Sequence, residues 1–118
     1  MIRSEYHTEN TTGLGGSGKG TAKMERWLDG EELTPNLSMI ATITLPVGGS
    51  VSLHTHEGEA EVYRIQSGTG LYTDNGREVT VGPGYTTLCR DGEQHGLENT
   101  GTEPLVFDAI IVGGQETD

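Results

Sequence analysis

GGSVSLHTHEGEAEVYRIQSG, Gly48 to Gly68, is the stretch whose reading decides the fold. His54 and His56 stand two apart, so on a β-strand both point to one face. Ser52 shares that face, while Val51, Leu53 and Thr55 take the other. The polar face carries the histidines, so it must line the interior if they bind a metal. Glu61 heads another strand-like run, Glu61 to Gln66, and a tight turn through Gly58 would bring its carboxylate back beside the imidazoles. Tyr63 shares the face of Glu61. Glu57 and Glu59 are rival carboxylates in the same loop. A second stretch completes the set: Gly82-Pro83-Gly84, then His95, then Asn99. Two close histidines, a carboxylate and a distant histidine suit a first-row divalent metal.

Outward from this stretch the chain reads as short strands and tight turns. Ser38 to Leu45 is a strand rich in Ile and Thr. Leu71 to Thr73 and Glu78 to Val81 flank Asp74-Asn75-Gly76, where Asn-Gly suits a type I′ hairpin. Tyr85 to Arg90 is a strand containing Cys89, read as a buried, inert thiol because no activating pattern surrounds it. Leu105 to Val112 is the last and most apolar strand, and Gly113 to Asp118 reads as a polar tail. About eight short strands and no helix predict an all-β jelly-roll barrel in a single domain.

Residues 1–36 read as an N-terminal arm with edge strands, and 37–118 as the barrel. Gly13 to Gly20 nearly spells a phosphate-binding loop. Gly20 stands where the magnesium-binding Ser or Thr belongs, and no buried strand precedes it. The run therefore reads as a flexible loop. Asn10-Thr11-Thr12 matches a glycosylation sequon but has no secretory signal to give it meaning. Trp27 is the only tryptophan and reads as a core or subunit-contact anchor rather than a ligand-stacking ring.

The formal charge of −11 excludes nucleic acid and anionic membrane surfaces as partners. It also means that an anionic ligand needs a local positive centre. The single cysteine excludes an intrachain disulfide framework and, with no signal-peptide core after Met1, predicts a cytoplasmic protein. Only 31% of residues are apolar, enough for one small barrel with little to spare. Further stability is expected from the metal and from a partner subunit.

The pattern resembles the cupin family. Its first motif is a Gly, five residues, His-x-His, four residues, Glu, six residues and Gly. It is met by Gly48, His54, His56, Glu61 and Gly68. The second motif, a Pro-Gly turn, a His, three residues and an Asn, is met by Pro83-Gly84, His95 and Asn99. One departure is a shifted turn: six residues separate Gly76 from Pro83, where the pattern has five. Only Glu61 meets the family spacing, so the resemblance selects it over Glu57 and Glu59. His54, His56, Glu61 and His95 are then the expected metal ligands. The run from His54 to Ile111 also looks like small bacterial single-domain cupins described as oxalate-decarboxylase-like, with an RmlC-like jelly roll. The family's habit of pairing barrels implies a homodimer.

Three imidazoles and one carboxylate around a divalent cation leave about one net positive charge. They also leave two positions of an octahedron for water or substrate. Manganese or iron(II) suits such a mixed N/O set, and nickel, cobalt and zinc are also compatible. Tyr63 is the candidate for acid–base work, since a nearby cation lowers a phenol's pKa. Cupin sulfonium lyases implicate a tyrosine at this position; its alternative is packing in the barrel. Three functions stay open. One is a metal-dependent enzyme on a small carboxylate, although oxalate decarboxylases proper carry two cupins in a chain. The second is a lyase or isomerase on the same metal. The third is a non-catalytic module that binds or senses a small anion or sugar.

Overall fold

The computed structural model describes residues 1–113, so the expected polar tail lies outside the described residues except for Gly113, which is instead the buried last residue of the final strand. Ten strands follow in order: β1 His7–Thr12, β2 Thr21–Arg26, β3 Leu37–Leu45, β4 Ser50–Thr55, β5 Glu59–Ser67, β6 Gly70–Asp74, β7 Arg77–Val81, β8 Thr86–Cys89, β9 Gln94–Asn99 and β10 Leu105–Gly113. Beyond the eight barrel strands, β1 and β2 lie in residues 1–36, the run read as an arm with edge strands, whose bounds the sequence did not give. β1 is an edge strand with most residues exposed, so it carries no apolar alternation to betray it. β2 does alternate, burying Ala22 and Met24, but only over a short span.

Two antiparallel sheets face each other, ordered β1-β2-β3-β10-β5-β8 and β4-β9-β6-β7. Period-2 burial on β5 and β10 builds the layer between them. Glu61, Tyr63 and Ile65 point inward from β5, and Leu105, Phe107 and Ala109 from β10. Leu45, Ile65, Leu105 and Phe107 fill one end of the interior, each no more than 1% exposed. This is the jelly-roll barrel expected from the sequence.

Turn chemistry holds the strands in register. Asn75 and Gly76 both take positive φ, 50° and 87°, as a type I′ hairpin between β6 and β7 requires. Asn99 acts as a buried staple. Its Nδ2 donates to the carbonyls of Leu45 at 3.1 Å and Glu103 at 2.9 Å, and its Oδ1 accepts from Gly101 N–H at 3.0 Å. That explains the Asn of the second motif structurally: it ties the end of β9 to the starts of the neighbouring turns.

The expected strict alternation of β4 does not hold. Three residue steps on β4, Val51 to His54, face two on β9, Leu97 to His95. The bulge turns Val51 inward with His54 and leaves Leu53 outward, 6% and 53% exposed respectively. Trp27 is half-buried, with its indole N–H donating to Thr42 Oγ1 at 2.9 Å, and Arg26 pairs across the strands with Glu9 at 2.6 Å. Among the described residues no helix is long and apolar enough to cross a membrane.

Candidate metal centre

All four sequence-predicted ligands meet at one end of the barrel, their donor atoms within 4.8 Å of one another. His54 on β4 lies directly across from His95 on β9. His56 follows the last residue of β4, its N–H donating to Glu93 O at 3.1 Å and its carbonyl accepting from Gly92 N–H at 2.7 Å. Gly58, at φ 78°, makes the reversal that returns Glu61 to the site, as the sequence suggested. His56, Glu61 and His95 are buried and His54 is half-buried.

The three Nε2 atoms form a triangle with every edge 3.1 Å. Glu61 Oε1 lies 2.9 Å from His56 Nε2, 3.0 Å from His95 Nε2 and 3.8 Å from His54 Nε2. Adjacent ligands on an octahedral ion at ~2.2 Å sit ~3.1 Å apart, while on a tetrahedral ion at ~2.1 Å they sit ~3.4 Å apart. The shorter spacing matches the triangle.

A second layer fixes which nitrogens face inward. His54 Nδ1 donates to the Ser52 carbonyl at 2.7 Å, and His56 Nδ1 to Glu59 Oε1 at 3.2 Å. His95 Nδ1 bonds Tyr72 Oη at 2.8 Å. In their neutral forms, His54 and His56 therefore aim bare Nε2 lone pairs at a common point. Lone pairs 3.1 Å apart repel unless a cation lies between them, so the donor set fits a metal.

Electrostatics agree. Burial alone would raise the Glu61 carboxyl, but the imidazoles of His54 and His95 beside it bring it down to about 2. The Glu61 carboxylate raises His54 against the opposing effect of burial. Burial lowers His95, outweighing the pull of Glu61.

Tyr63 stacks on His95 with ring centroids 4.9 Å apart and packs against Phe107 at 4.7 Å. Burial, with the Glu61 charge added, holds its phenol well above the usual tyrosine range. Tyr63 packs in the barrel, one of its two sequence readings, and it also lines the cavity at the site. That cavity measures about 220 Å³ and reaches His54, His56 and Glu61. A larger hollow of about 450 Å³ lies between Lys19, Glu78 and Glu98 and contains none of the donors. Cys89 is buried as expected, and burial pushes its thiol up to about 11.

Sequence reasoning set Glu59 aside as a rival to Glu61 and gave it no role; the structure places it on His56 Nδ1. Nor did it single out Tyr72. The signal for that residue is its place between two neighbours in a short strand, and it needs the β6–β9 register to become useful. The Gly-rich run was expected to be a flexible loop. Instead it folds as a 3-10 turn, Leu14–Gly16, bonded to β4.

Residues 41–113 match the family described as Cupin domain. This chain belongs to the cupin family. It is 39% identical over 109 residues to an oxalate-binding protein of Thermotoga maritima, covering 92% of this chain and 89% of that protein. The crystal structure of a predicted oxalate decarboxylase from Thermotoga maritima superposes with a TM-score of 0.87 at 38% identity, covering 96% of this cupin and 98% of that chain. The polyketide cyclase RemF of Streptomyces resistomycificus matches with a TM-score of 0.76 over all of this cupin and 82% of that chain. At 20% identity that likeness is one of fold alone.

Proposed function

We propose that this cupin holds a divalent transition metal on His54, His56, Glu61 and His95 and binds a small carboxylate there as an enzyme of the oxalate-decarboxylase-like kind. The observation that carries the reading is the inward triangle of Nε2 atoms with each Nδ1 already engaged. The donor spacing and the N/O mixture favour manganese or iron(II) over the zinc tetrahedron. Such an ion supplies Lewis acidity and a template for a carboxylate. In a chain of charge −11 it is also the local positive centre that an anion needs. The oxalate-binding relative supports the same ligand class.

The chain's own groups then have distinct roles. Glu61 and the imidazoles hold the ion. Tyr63, which lines the cavity with its phenol held protonated, would donate a hydrogen bond to a bound carboxylate. The rest of the cavity wall is apolar. That scarcity of acid–base groups favours a second reading, a binding protein without turnover.

Elemental analysis with calorimetry decides the first point. Metal-loaded protein should bind oxalate and the apo form should not. Equal affinity for both forms would remove the metal as the anion site. Turnover of a carboxylate panel, lost on chelation, separates the enzyme from the binder. We also propose a homodimer, supported by the 31% apolar share and by the family's paired barrels. Sedimentation at micromolar concentration should give the dimer mass; a monomer alone would refute it.

A further inference from the structure

We propose that the ligand of this centre is a short 2-oxo or 2-hydroxy monocarboxylate with an apolar tail, and that Leu14 sets the length of that tail. The inference rests on the metal-held carboxylate reading above. Away from the donors, the cavity is walled by Leu14, Met24, Met39, Ile43, Val51 and Ile111, and no Lys or Arg lines it. The carboxylate and its neighbouring oxygen would fill the two positions that four protein donors leave on an octahedral ion. Everything beyond them must lie against methionine, leucine, isoleucine and valine. A second, distal carboxylate would be buried there without a partner, which is strongly unfavourable.

Volume bounds the tail. The cavity of about 220 Å³ equals the share of roughly seven waters at ~30 Å³ each. It takes a ligand of about seven to nine non-hydrogen atoms at that volume.

One wall is the Gly-rich run that nearly spells a phosphate-binding loop. Leu14 packs against the core cluster, and its neighbour Gly15 lines the cavity beside it. Gly15 has φ 77°, and a Cβ there would lie 2.9 Å from both His54 Nδ1 and Ser52 N. Only glycine lets the turn approach a ligand histidine so closely. Three bonds then clamp the turn to β4. Ser17 N–H donates to Ser52 Oγ at 2.9 Å, Ser52 Oγ to Leu14 O at 3.2 Å, and Lys19 N–H to Ser50 Oγ at 2.9 Å. The strand that carries His54 therefore also fixes the position of Leu14.

The test is calorimetry on metal-loaded full-length protein. The probes are oxalate, pyruvate, 2-oxobutanoate, 2-oxopentanoate, 2-oxohexanoate, 2-oxooctanoate and 2-oxoglutarate. Affinity should rise by up to about fourfold per added methylene, as full burial of a CH₂ group allows, and then fall at 2-oxooctanoate. 2-Oxoglutarate should bind at least tenfold more weakly than 2-oxohexanoate. Leu14→Ala should move the optimum one or two carbons longer, and Leu14→Phe should shorten it. Bound metal per chain reports that each variant has folded. A flat series, or 2-oxoglutarate binding as tightly as 2-oxohexanoate, overturns the tail while oxalate binding keeps the metal-held carboxylate reading. An optimum unmoved by both variants overturns the role of Leu14. If neither oxalate nor any 2-oxo acid binds, the carboxylate reading fails and this proposal fails with it.

Discussion

The two ends of the barrel interior are built from the same inward rows, yet they ask opposite things of their side chains. On β5 the row runs Glu61, Tyr63, Ile65, from an ionised carboxylate to a hydrocarbon in two steps. At the apolar end, Ile65, Leu105 and Phe107 need only shape and volume. At the other end every buried polar atom needs a partner, and each imidazole has two: a convergent Nε2 and an Nδ1 held from behind. Tyr63 joins them, with one ring face toward His95 and contact to Phe107. The contrast teaches that one strand can carry a packed core and a metal cage. The condition is that the polar end brings its second layer with it.

The largest expected effect breaks the polar end alone. His95→Ala removes a ligand that is fully buried and opposes His54 across the β4–β9 pair. Metal content after dialysis should fall from stoichiometric to near zero, with the β-sheet circular dichroism kept. Full metal content in this variant would show that the constellation is wrong.

Phe107→Ala breaks the apolar end instead. Phe107 is 0% exposed and packs on Tyr63. Truncating a buried Phe costs about 3–5 kcal/mol of stability through lost burial and the cavity left behind. Denaturant melting of the apo protein should report that loss. A shift under 1 kcal/mol would mean that the apolar end does not anchor the barrel.

A pH titration separates the ends without mutation. Protons compete with metal for the imidazoles, so affinity should fall as the solution is acidified through ~6.5 and below. Glu61, held down to about 2, should stay ionised long after the histidines let go. Its contribution to folding has the depressed-carboxylate sign. It is present above the ordinary glutamate value of 4.5 and is lost as pH falls toward about 2. His95, lowered by burial, resists protonation in the fold, so acidification below its ordinary ~6.5 works against the apo state. Metal release measured by dialysis should therefore precede loss of ellipticity. Coincident transitions would show that the cage and the fold are one unit.

Sequence legibility follows the same division. The candidate donors were readable because first-layer chemistry needs fixed residue types at fixed spacing: His54 and His56 stand at the end of β4, Glu61 on β5, the next strand along the chain, and His95 in a second motif. The Asn75–Gly76 hairpin was readable because positive φ selects its residues. What stayed hidden depended on register or long-range packing. Val51 turns inward only because of the bulge opposite Gly96, and strict alternation gave it the other face. Edge strands were expected in residues 1–36, but β1 had no apolar pattern to mark its bounds. Leu14 and Gly15 acquire meaning only when a turn from early in the chain lands on β4. Tyr72 and Glu59 meet imidazoles whose places were known, but nothing local says which residue stands behind a histidine.

That second layer supplies the finest test of the comparison, because its two side-chain members differ in burial. Tyr72 is 3% exposed and bonds His95 Nδ1 at 2.8 Å. Tyr72→Phe keeps the ring and removes the bond that, among the described residues, orients His95 from behind. Outer-layer losses of this kind weaken metal binding by about 10- to 100-fold. Glu59 touches His56 Nδ1 at 3.2 Å, but its side chain is 33% exposed, where solvent screens the charge. Glu59→Gln keeps a carbonyl oxygen for the Nδ1 proton and loses only that screened charge, so affinity should drop by less than tenfold, roughly the outer-layer minimum. Metal dissociation constants for both variants, alongside apo melting curves, distinguish positioning from general damage. Positioning predicts a large affinity loss in Tyr72→Phe that exceeds any change in apo stability, and a smaller loss in Glu59→Gln. If the two variants lose affinity equally, burial of the second layer does not govern the cage, and the contrast between the two ends of the barrel loses its physical basis.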